Sequence, residues 1–253
     1  MLHVIIVWYN EEINLPKCFE SLKNFDWLVV YKIHYADQSS NDKSIEIAKI
    51  YTNNVYLHQN FWFCEASRKL IFDKECDDSD RILLLDADEE ISQLLAREIR
   101  EFIHNDNNRI WSLLIDISFM WVSVWKVKQN RLFLKDSVSL LPVPHSWIQY
   151  SKDIIIGKLD NILINNNLRE VWSYNHTTLD KTNRYTTNEV NNIELSINQT
   201  IFRLIFMPIL WFFWFGIQRW LFFKWIKWWI YCIHMWFYQF IKYAKLYEKI
   251  TRE

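Results

Sequence analysis

The chain is poor in glycine. It holds 2 glycines among 253 residues, whereas an average content of roughly 7% would give about 18. It holds 15 tryptophans, and tryptophan is too bulky for the tight turns in which glycine supplies positive φ angles. Trp62, Trp147, Trp225 and Trp228 fall where turns or helix junctions are expected. We hypothesise that many tryptophans occupy positions encoded as glycine in the native organism, through a reassigned stop codon. The alternative is an aromatic-rich protein that contacts a membrane.

Cysteine is scarce as well, and neither charge sign is in excess. The four cysteines, Cys18, Cys64, Cys76 and Cys232, form no Cys-x-x-Cys pair, so we predict no disulfide framework and no zinc site, as in a reducing compartment. With 29 basic and 30 acidic residues, no global field attracts nucleic acid. A strand pattern begins at Leu2 without a charged leader, so we expect no signal peptide.

Residues 1–104 alternate between strand-like and helix-like hydrophobic patterns. Short apolar runs predict strands at 4–7, 28–36, 55–57 and 81–86, and apolar residues at helical spacing predict helices at 15–22, 41–51, 65–74 and 91–103. This rhythm predicts a parallel sheet covered by helices. Shorter β-like segments follow at Arg109–Ser118, Val122–Val127 and Arg131–Leu134, and residues 181–200 are predicted to be helical.

The C-terminal tail is rich in aromatic residues. Its two uncharged apolar stretches, Leu204–Ile217 and Trp228–Ile241, have about 14 residues each, fewer than the roughly 20 that span a bilayer as a helix. The basic residues between them are Arg219, Lys224 and Lys227. This composition predicts an amphipathic helix pair that lies in the headgroup region. A buried core hairpin or a spanning pair are the alternatives.

An acidic motif follows the strand predicted at 81–86. The apolar run Leu83-Leu84-Leu85 ends in Asp86-Ala87-Asp88-Glu89. Carboxylates are rarely buried without a partner, and ligands bind at the carboxyl ends of the strands in open α/β sheets. Asp-x-Asp at this place is suited to a divalent cation with oxygen ligands. The alternative is a solvated acidic turn.

Four features fall in order, each at a strand end or in the loop after it. They are Trp8-Tyr9-Asn10-Glu11-Glu12, Asp37-Gln38-Ser39-Ser40-Asn41-Asp42, Arg68, and Asp86-Ala87-Asp88-Glu89. This set resembles the family 2 glycosyltransferases of the GT-A fold. It is most similar to the bacterial branch that builds lipopolysaccharide or lipooligosaccharide core, whose later segment is matched here by His176, Lys181, Asn183, Arg184 and Tyr185.

The resemblance implies an α/β, GT-A type fold: a mostly parallel nucleotide-binding sheet with flanking helices, plus an aromatic-rich amphipathic helical tail. It implies that residues 1–198 form the glycosyltransferase domain, with a nucleotide-sugar half (1–104) and an acceptor half (105–198), and that 199–253 form the membrane-associating tail. The expected reaction is inverting transfer of a hexose, with a UDP-linked donor favoured, to a lipid-linked or lipooligosaccharide glycan. The expected location is the cytoplasmic face of the inner membrane, with peripheral or monotopic attachment and no nucleic-acid partner.

The resemblance also assigns roles to single residues. Asp88, with Asp86 beside it and His176 as a further ligand, is expected to hold Mg²⁺ or Mn²⁺ against the donor diphosphate. Asp37 is expected to accept hydrogen bonds from the base. The residues expected to contact base, ribose or phosphates are Tyr9, Asn10, Glu11, Arg68, Asp86, Lys181 and Arg184.

The chain departs from the branch in several places. Inverting transfer needs a base that deprotonates the acceptor hydroxyl, and the branch often has His-Glu where this chain has His145-Ser146. His145, Asp136 and Asp153 are the candidates that remain. Trp62 stands where a glycine often precedes the aromatic, and Lys69 replaces a frequent asparagine.

Two other functions stay open at this stage. A sugar-phosphate nucleotidyltransferase has a similar nucleotide site, although the chain shows no glycine-rich phosphate loop near its N-terminus. A degenerate, non-catalytic family member that binds nucleotide or membrane is the second. Donor hydrolysis, or pyrophosphate release from a nucleoside triphosphate, discriminates these functions.

Overall fold

The computed structural model describes most of the chain. The described residues are 1–61, 63–105, 110–119, 122–142, 148–151, 154, 156–165, 182–183, 185–187, 189–191, 193–218 and 226–252. The chain divides into two compact units, Met1–Leu168 and Arg169–Glu253. The predicted functional boundary near residue 198 stays a prediction.

The first unit is built on a mixed sheet of eight described strands. They are β1 (Leu2–Trp8), β2 (Tyr31–Asp37), β3 (Val55–Leu57), β4 (Arg81–Leu85), β5 (Glu89–Glu90), β6 (Ile110–Phe119), β7 (Val122–Leu134) and β10 (Ile156–Asn165). Their order in the sheet is β3-β2-β1-β4-β7-β6-β10-β5. A separate ribbon is formed by β8 (Val138–Ser139) and β9 (Gln149–Tyr150). β3, β2, β1 and β4 are mutually parallel, whereas β7 is antiparallel to both β4 and β6.

Helices cover both faces of this sheet. They are α1 (Leu15–Leu22), α2 (Ser44–Tyr51), α3 (Cys64–Glu75) and α4 (Gln93–Asn105). Alternate residues of β1 point to opposite faces, so Val4 and Ile6 join a core with residues of α1 and α4. Ile5 and Val7 join the other core, with Ile71 and Phe72 of α3. A central strand buried on both faces explains the continuous apolar run of β1.

The register of the parallel strands positions the candidate site. Trp8, the last residue of β1, lies opposite Asp37, the last residue of β2. Ile6 of β1 lies opposite Leu85, the last residue of β4. The carboxyl ends of β1, β2 and β4 therefore meet at one edge of the sheet, and the acidic motif follows directly there.

Two observed strands, β2 and β7, differ in extent from the predicted ones, and β5, β8, β9 and β10 had no predicted counterpart. β2 begins at Tyr31 instead of residue 28, because a turn occupies the preceding residues. The segments predicted at Val122–Val127 and Arg131–Leu134 form one strand, β7, since both pair with β6. β10 has a parallel partner, β6, that lies far away in sequence.

The second unit contains two long helices, α5 (Ile197–Gln218) and α6 (Ile226–Arg252). α5 continues through Pro208 for 22 residues, so it is longer than the apolar stretch that predicted it. The described residues contain one helix whose length and composition suffice to cross a membrane, with a window at Ile197–Trp214 of mean hydropathy 1.3. Within this unit, Val190 packs with Tyr243 and Leu246 of α6.

Trp27 occupies a position suited to glycine. Phe25, Asp26, Trp27 and Leu28 form a turn in which Leu28 N–H donates to Phe25 C=O at 2.9 Å. Asp26 has φ −55° and ψ 135°, and Trp27 has φ 64°; these angles match a type II turn, whose third residue is glycine or asparagine. The Trp27 side chain is fully exposed, so no packing offsets the backbone cost. The geometry at residue 27 supports the hypothesis of glycine positions occupied by tryptophan.

We expect Trp27→Gly to raise the free energy of unfolding by about 1 kcal/mol, because a β-carbon is unfavourable at positive φ. Urea denaturation measures the change. Asp26→Gly, at negative φ in the same turn, is the control and should destabilise through added chain entropy and through loss of the hydrogen bond from the Tyr31 hydroxyl to Asp26 Oδ1. A destabilised Trp27→Gly variant would contradict the argument. Peptide mass spectrometry of the native protein identifies residue 27 directly.

A buried hydrogen-bond chain lies on the α3 face of the sheet. The Tyr56 hydroxyl lies 3.0 Å from His34 Nδ1, and His34 Nε2 lies 2.9 Å from His3 Nδ1. His3 Nε2 lies 3.2 Å from Asp80 Oδ2. His3 Nε2 makes no hydrogen bond within the described residues, so the hydrogen-bond chain joins Tyr56, His34 and His3, and Asp80 lies at ion-pair distance beyond it. Burial lowers the pKa of His34 from 6.5 to about 4, and that of His3 is lowered by burial as well.

This pKa shift predicts acid sensitivity. Below pH 6.5 the unfolded chain protonates residue 34, whereas the folded chain resists protonation down to about pH 4. The His34 contribution to stability is therefore intact above pH 6.5 and is lost as the pH falls toward 4, by at most about 1.4 kcal/mol per pH unit. Urea denaturation of the wild type and His34→Gln between pH 7 and 4.5 measures this difference. Equal pH slopes in the two proteins would contradict it.

Candidate active site

Asp37 closes the loop that follows β2. Its Oδ2 accepts the Ser40 backbone N–H at 2.7 Å, and its Oδ1 accepts the Tyr35 hydroxyl at 3.2 Å. The Asp37 side chain is buried, at the end of a parallel strand beside the end of β1. Its carboxylate is therefore fixed in orientation. Such a group can select a ligand by hydrogen bonding at this edge.

The turn after β1 is joined to the same loop. The Asn10 backbone N–H donates to Ser40 Oγ at 2.9 Å. The Asn10 side-chain N–H donates to Asn41 Oδ1 at 2.8 Å, and Asn10 Oδ1 accepts the Asn41 backbone N–H at 2.9 Å. Glu11 N–H donates to Ser44 Oγ at 2.8 Å. Asn10 and Ser39 have φ angles of 55° and 63°, which asparagine tolerates better than most residues. These bonds hold the turn containing Tyr9, Asn10 and Glu11 against the loop that begins at Asp37.

A tight turn directs the three carboxylates after β4 to different partners. Glu89 N–H donates to Asp86 C=O at 3.0 Å, and Asp86 N–H donates to Glu89 Oε2 at 2.8 Å. Asp88 Oδ1 accepts the Asn165 side-chain N–H at 3.0 Å. Asn165 ends β10, which pairs with β5 through Asn165 and Glu89. Asp86 and Asp88 thus have separate environments although one residue divides them.

Asp86 is held by two arginines. Arg68 of α3 donates to its Oδ1, and Arg131 of β7 donates to its Oδ2 at 2.9 Å. Arg131 Nη2 also lies 3.4 Å from Glu89 Oε1. Burial opposes ionisation of Asp86, but Arg131 and Arg68 outweigh it and hold its pKa well below the usual range. Burial raises the pKa of the Glu89 carboxyl, although Arg131 beside it acts in the opposite direction.

The structure brings most of the described candidates together but not Asp136. Tyr9, Asn10, Glu11, Asp37, Arg68, Asp86 and Asp88 all belong to the carboxyl ends of β1, β2 and β4 or to the adjoining α3. Asp136 follows β7, and antiparallel pairing places Leu134 opposite Arg81, the first residue of β4. Asp136 therefore lies at the opposite end of β4 from Asp86, and its selection as a general base is corrected on this ground. Lys181, Arg184, His176, His145 and Asp153 lie outside the described residues.

Sequence reasoning missed Arg131 and Asn165. Arg131 is a charged residue beside the apolar run Leu132–Leu134, and a charge in a buried strand requires a partner. That signal was available, although it could not name Asp86. Asn165 begins a run of three asparagines, residues 165–167, a composition typical of a loop. Only its pairing with Glu89 places it beside Asp88.

The acidic motif offers carboxylate oxygens that could hold a divalent cation, and Asp88, Asp86 and His176 are its predicted ligands. Within the described residues no group of three His, Cys, Asp or Glu side chains is arranged to hold a metal by itself. Mg²⁺ in nucleotide sites is commonly bound by one or two carboxylates together with substrate phosphates. The donor set at Asp88 fits that mode of binding.

Comparison with known proteins identifies the family. The profile of glycosyl transferase family 2 matches residues 3–212. The chain belongs to glycosyl transferase family 2. A similar protein, an uncharacterized glycosyltransferase of Rickettsia typhi, is 25% identical over 171 residues, which are 62% of this chain. The chain spans 56% of the length of that relative.

Two solved structures of TarS share the fold. The crystal structure of residues 1–349 of TarS from S. aureus superposes with a TM-score of 0.51 at 13% identity, covering 99% of this chain and 91% of TarS 1–349. The same protein in complex with UDP-GlcNAc gives a TM-score of 0.50 at 14% identity, with the same coverage. The family 2 chain thus has the GT-A type α/β fold, with a mixed, mostly parallel sheet and flanking helices.

Proposed function

We propose that this family 2 chain is an inverting, metal-dependent glycosyltransferase that moves a hexose from a UDP-sugar to a lipid-linked or lipooligosaccharide glycan. The observation that carries the proposal is the convergence of Asp37, Asp86 and Asp88 at one edge of the parallel sheet. TarS, of similar fold, has been solved with UDP-GlcNAc, which supports a uridine nucleotide as the donor.

Different residues at this edge contact different parts of the donor. The fixed carboxylate of Asp37 accepts hydrogen bonds from the base, and the turn at Tyr9, Asn10 and Glu11 contacts the base and ribose. Arg68 lies where it can donate to diphosphate oxygens, since it already donates to Asp86 beside Asp88. Asp88 would hold Mg²⁺ or Mn²⁺. That cation neutralises charge that develops on the diphosphate as the nucleotide departs.

Transfer also requires a base for the acceptor hydroxyl. His145 and Asp153 remain the candidates, with His176, Lys181 and Arg184 as further donor contacts. These assignments rest on the sequence resemblance. The acceptor is proposed to be a glycan on a lipid or lipooligosaccharide, because the second unit offers an apolar surface.

We expect Asp37→Ala to raise the KM for the UDP-sugar about tenfold or more while kcat changes less, since Asp37 should contact the base equally in ground and transition states. Donor hydrolysis with Mn²⁺ measures both constants. Asp73→Ala, which removes an exposed carboxylate from α3, is the control. A collapsed kcat with unchanged KM would instead assign Asp37 to chemistry, and failure of the wild type to bind any UDP-sugar would refute the proposed function.

The apolar surface of α5 supports attachment to a membrane. Seven large hydrophobic side chains on this helix are 45–61% exposed: Phe202, Ile205, Phe206, Ile209, Leu210, Phe213 and Trp214. Exposed apolar area of this kind marks membrane or protein contacts. We propose that α5 lies in the headgroup region at the cytoplasmic face of the inner membrane, with Arg219, Lys224 and Lys227 near anionic lipid.

We expect the full chain to float with anionic liposomes and to be released in part by high salt, because each basic residue near an anionic surface contributes about 1 kcal/mol. The double variant Phe206→Glu, Trp214→Glu should lose flotation, whereas Asn198→Glu, an exposed polar position on the same helix, should retain it. Wild-type flotation that resists salt and alkaline carbonate would indicate a spanning helix. No flotation under any condition would refute membrane attachment.

A further inference from the structure

The two aspartates of the Asp-x-Asp motif differ in what already surrounds them. Both oxygens of Asp86 accept hydrogen bonds from guanidinium groups, one from Arg68 and one from Arg131. Asp88 accepts from the neutral amide of Asn165. Charge-assisted hydrogen bonds are stronger than neutral ones, so the two arginines hold the Asp86 carboxylate firmly.

A divalent cation at Asp86 would meet two obstacles. It would have to displace a guanidinium from a carboxylate oxygen, and it would lie beside two fixed positive charges in a largely buried place. The side chains of Arg68 and Arg131 are 11% and 8% exposed, so water screens this repulsion poorly.

We propose that Asp86 is not a metal ligand but the anchor of an arginine pair, and that Arg131 is a positioning residue that fixes Asp86 and, through it, Arg68. This inference rests on the proposed function, because the pair then presents positive charge to the donor diphosphate beside the cation held by Asp88. Asp86 bridges two elements that are distant in sequence, α3 and β7.

The strand register and the hydrogen bonds of Arg131 support this role. β7 is the neighbour of β4, and Leu132 lies opposite Leu83, so Arg131 projects from a rigid strand next to the end of β4. Its Nε donates to Gln129 Oε1 at 2.7 Å, which orients the guanidinium toward Asp86. Arg131 Nη1 and Arg68 Nε are buried and have no hydrogen-bond partner among the described residues. Such donors are costly to leave unpaired, and phosphate oxygens are acceptors of the matching charge.

The proposal predicts that Asp86 and Arg131 contribute to UDP binding with or without a metal ion, whereas Asp88 contributes only when the metal ion is present. Calorimetric titration of UDP into the full chain, in Mn²⁺ and in EDTA, measures both affinities. Asp86→Asn and Arg131→Gln should each weaken UDP binding about tenfold or more in both conditions and keep the wild-type ratio between them. Asp88→Asn should not weaken UDP binding in EDTA, because it removes a negative charge beside the diphosphate, and it should lose the gain that Mn²⁺ gives. Arg81→Gln, on the same strand as the motif but at its opposite end, should change neither affinity.

Three outcomes would overturn the proposal. They are loss of the Mn²⁺ gain in Asp86→Asn with unchanged affinity in EDTA, wild-type UDP binding by Arg131→Gln, and additive effects of Asp86→Asn and Arg131→Gln on urea stability. Residues in contact should instead show coupled effects in this double-mutant cycle. The cycle needs no ligand, so failure of the wild type to bind UDP would refute the proposed function while the Asp86 to Arg131 contact is still tested. If Arg131→Gln fails to fold, Arg131→Lys, which keeps the positive charge, replaces it in these measurements.

Discussion

Burial of β1 on both faces is the constraint on which the first unit depends. Every side chain from Leu2 to Val7 is buried, with alternate residues in two separate hydrophobic cores. A strand in this position must pair on both edges, and its partners β2 and β4 are parallel to it. Parallel pairing brings three carboxyl ends to one edge. The polar residues that follow those strands meet there without any direct sequence relation to one another.

The electrostatics of this edge follow from the same packing. Asp86 follows a strand whose residues are buried, so its carboxylate needs partners of opposite charge. One partner comes from a helix on one face of the sheet and the other from the adjacent strand. Asp88 is turned toward β10 instead. A turn of four residues thus creates two carboxylates with unlike environments, which is the basis for assigning them different roles in donor binding.

The residues with left-handed backbone conformation bear on the scarcity of glycine. The described residues with left-handed φ angles are Asn10, Trp27 and Ser39, none of them glycine. Asparagine tolerates this conformation, and Asn10 and Ser39 lie in loops tied together by hydrogen bonds around Asp37. Trp27 has no comparable side-chain role, because its ring is fully exposed. The conformation at residue 27 is therefore explained by the needs of the turn and not by the tryptophan itself.

Local pattern alone was sufficient for most elements of residues 1–104, though not for the start of β2 or for β5, and for the residues that directly follow β1, β2 and β4. Hydrophobic period depends only on neighbours in sequence, so α1, α4 and β4 were predicted close to their observed bounds. The direction and partner of each strand depend on distant residues. Only the tertiary structure could therefore show that β7 runs antiparallel to β4, which brings Arg131 to Asp86 and carries Asp136 to the far end of the strand. The same reason applies to Asn165, which reaches Asp88 through a pairing between strands more than seventy residues apart.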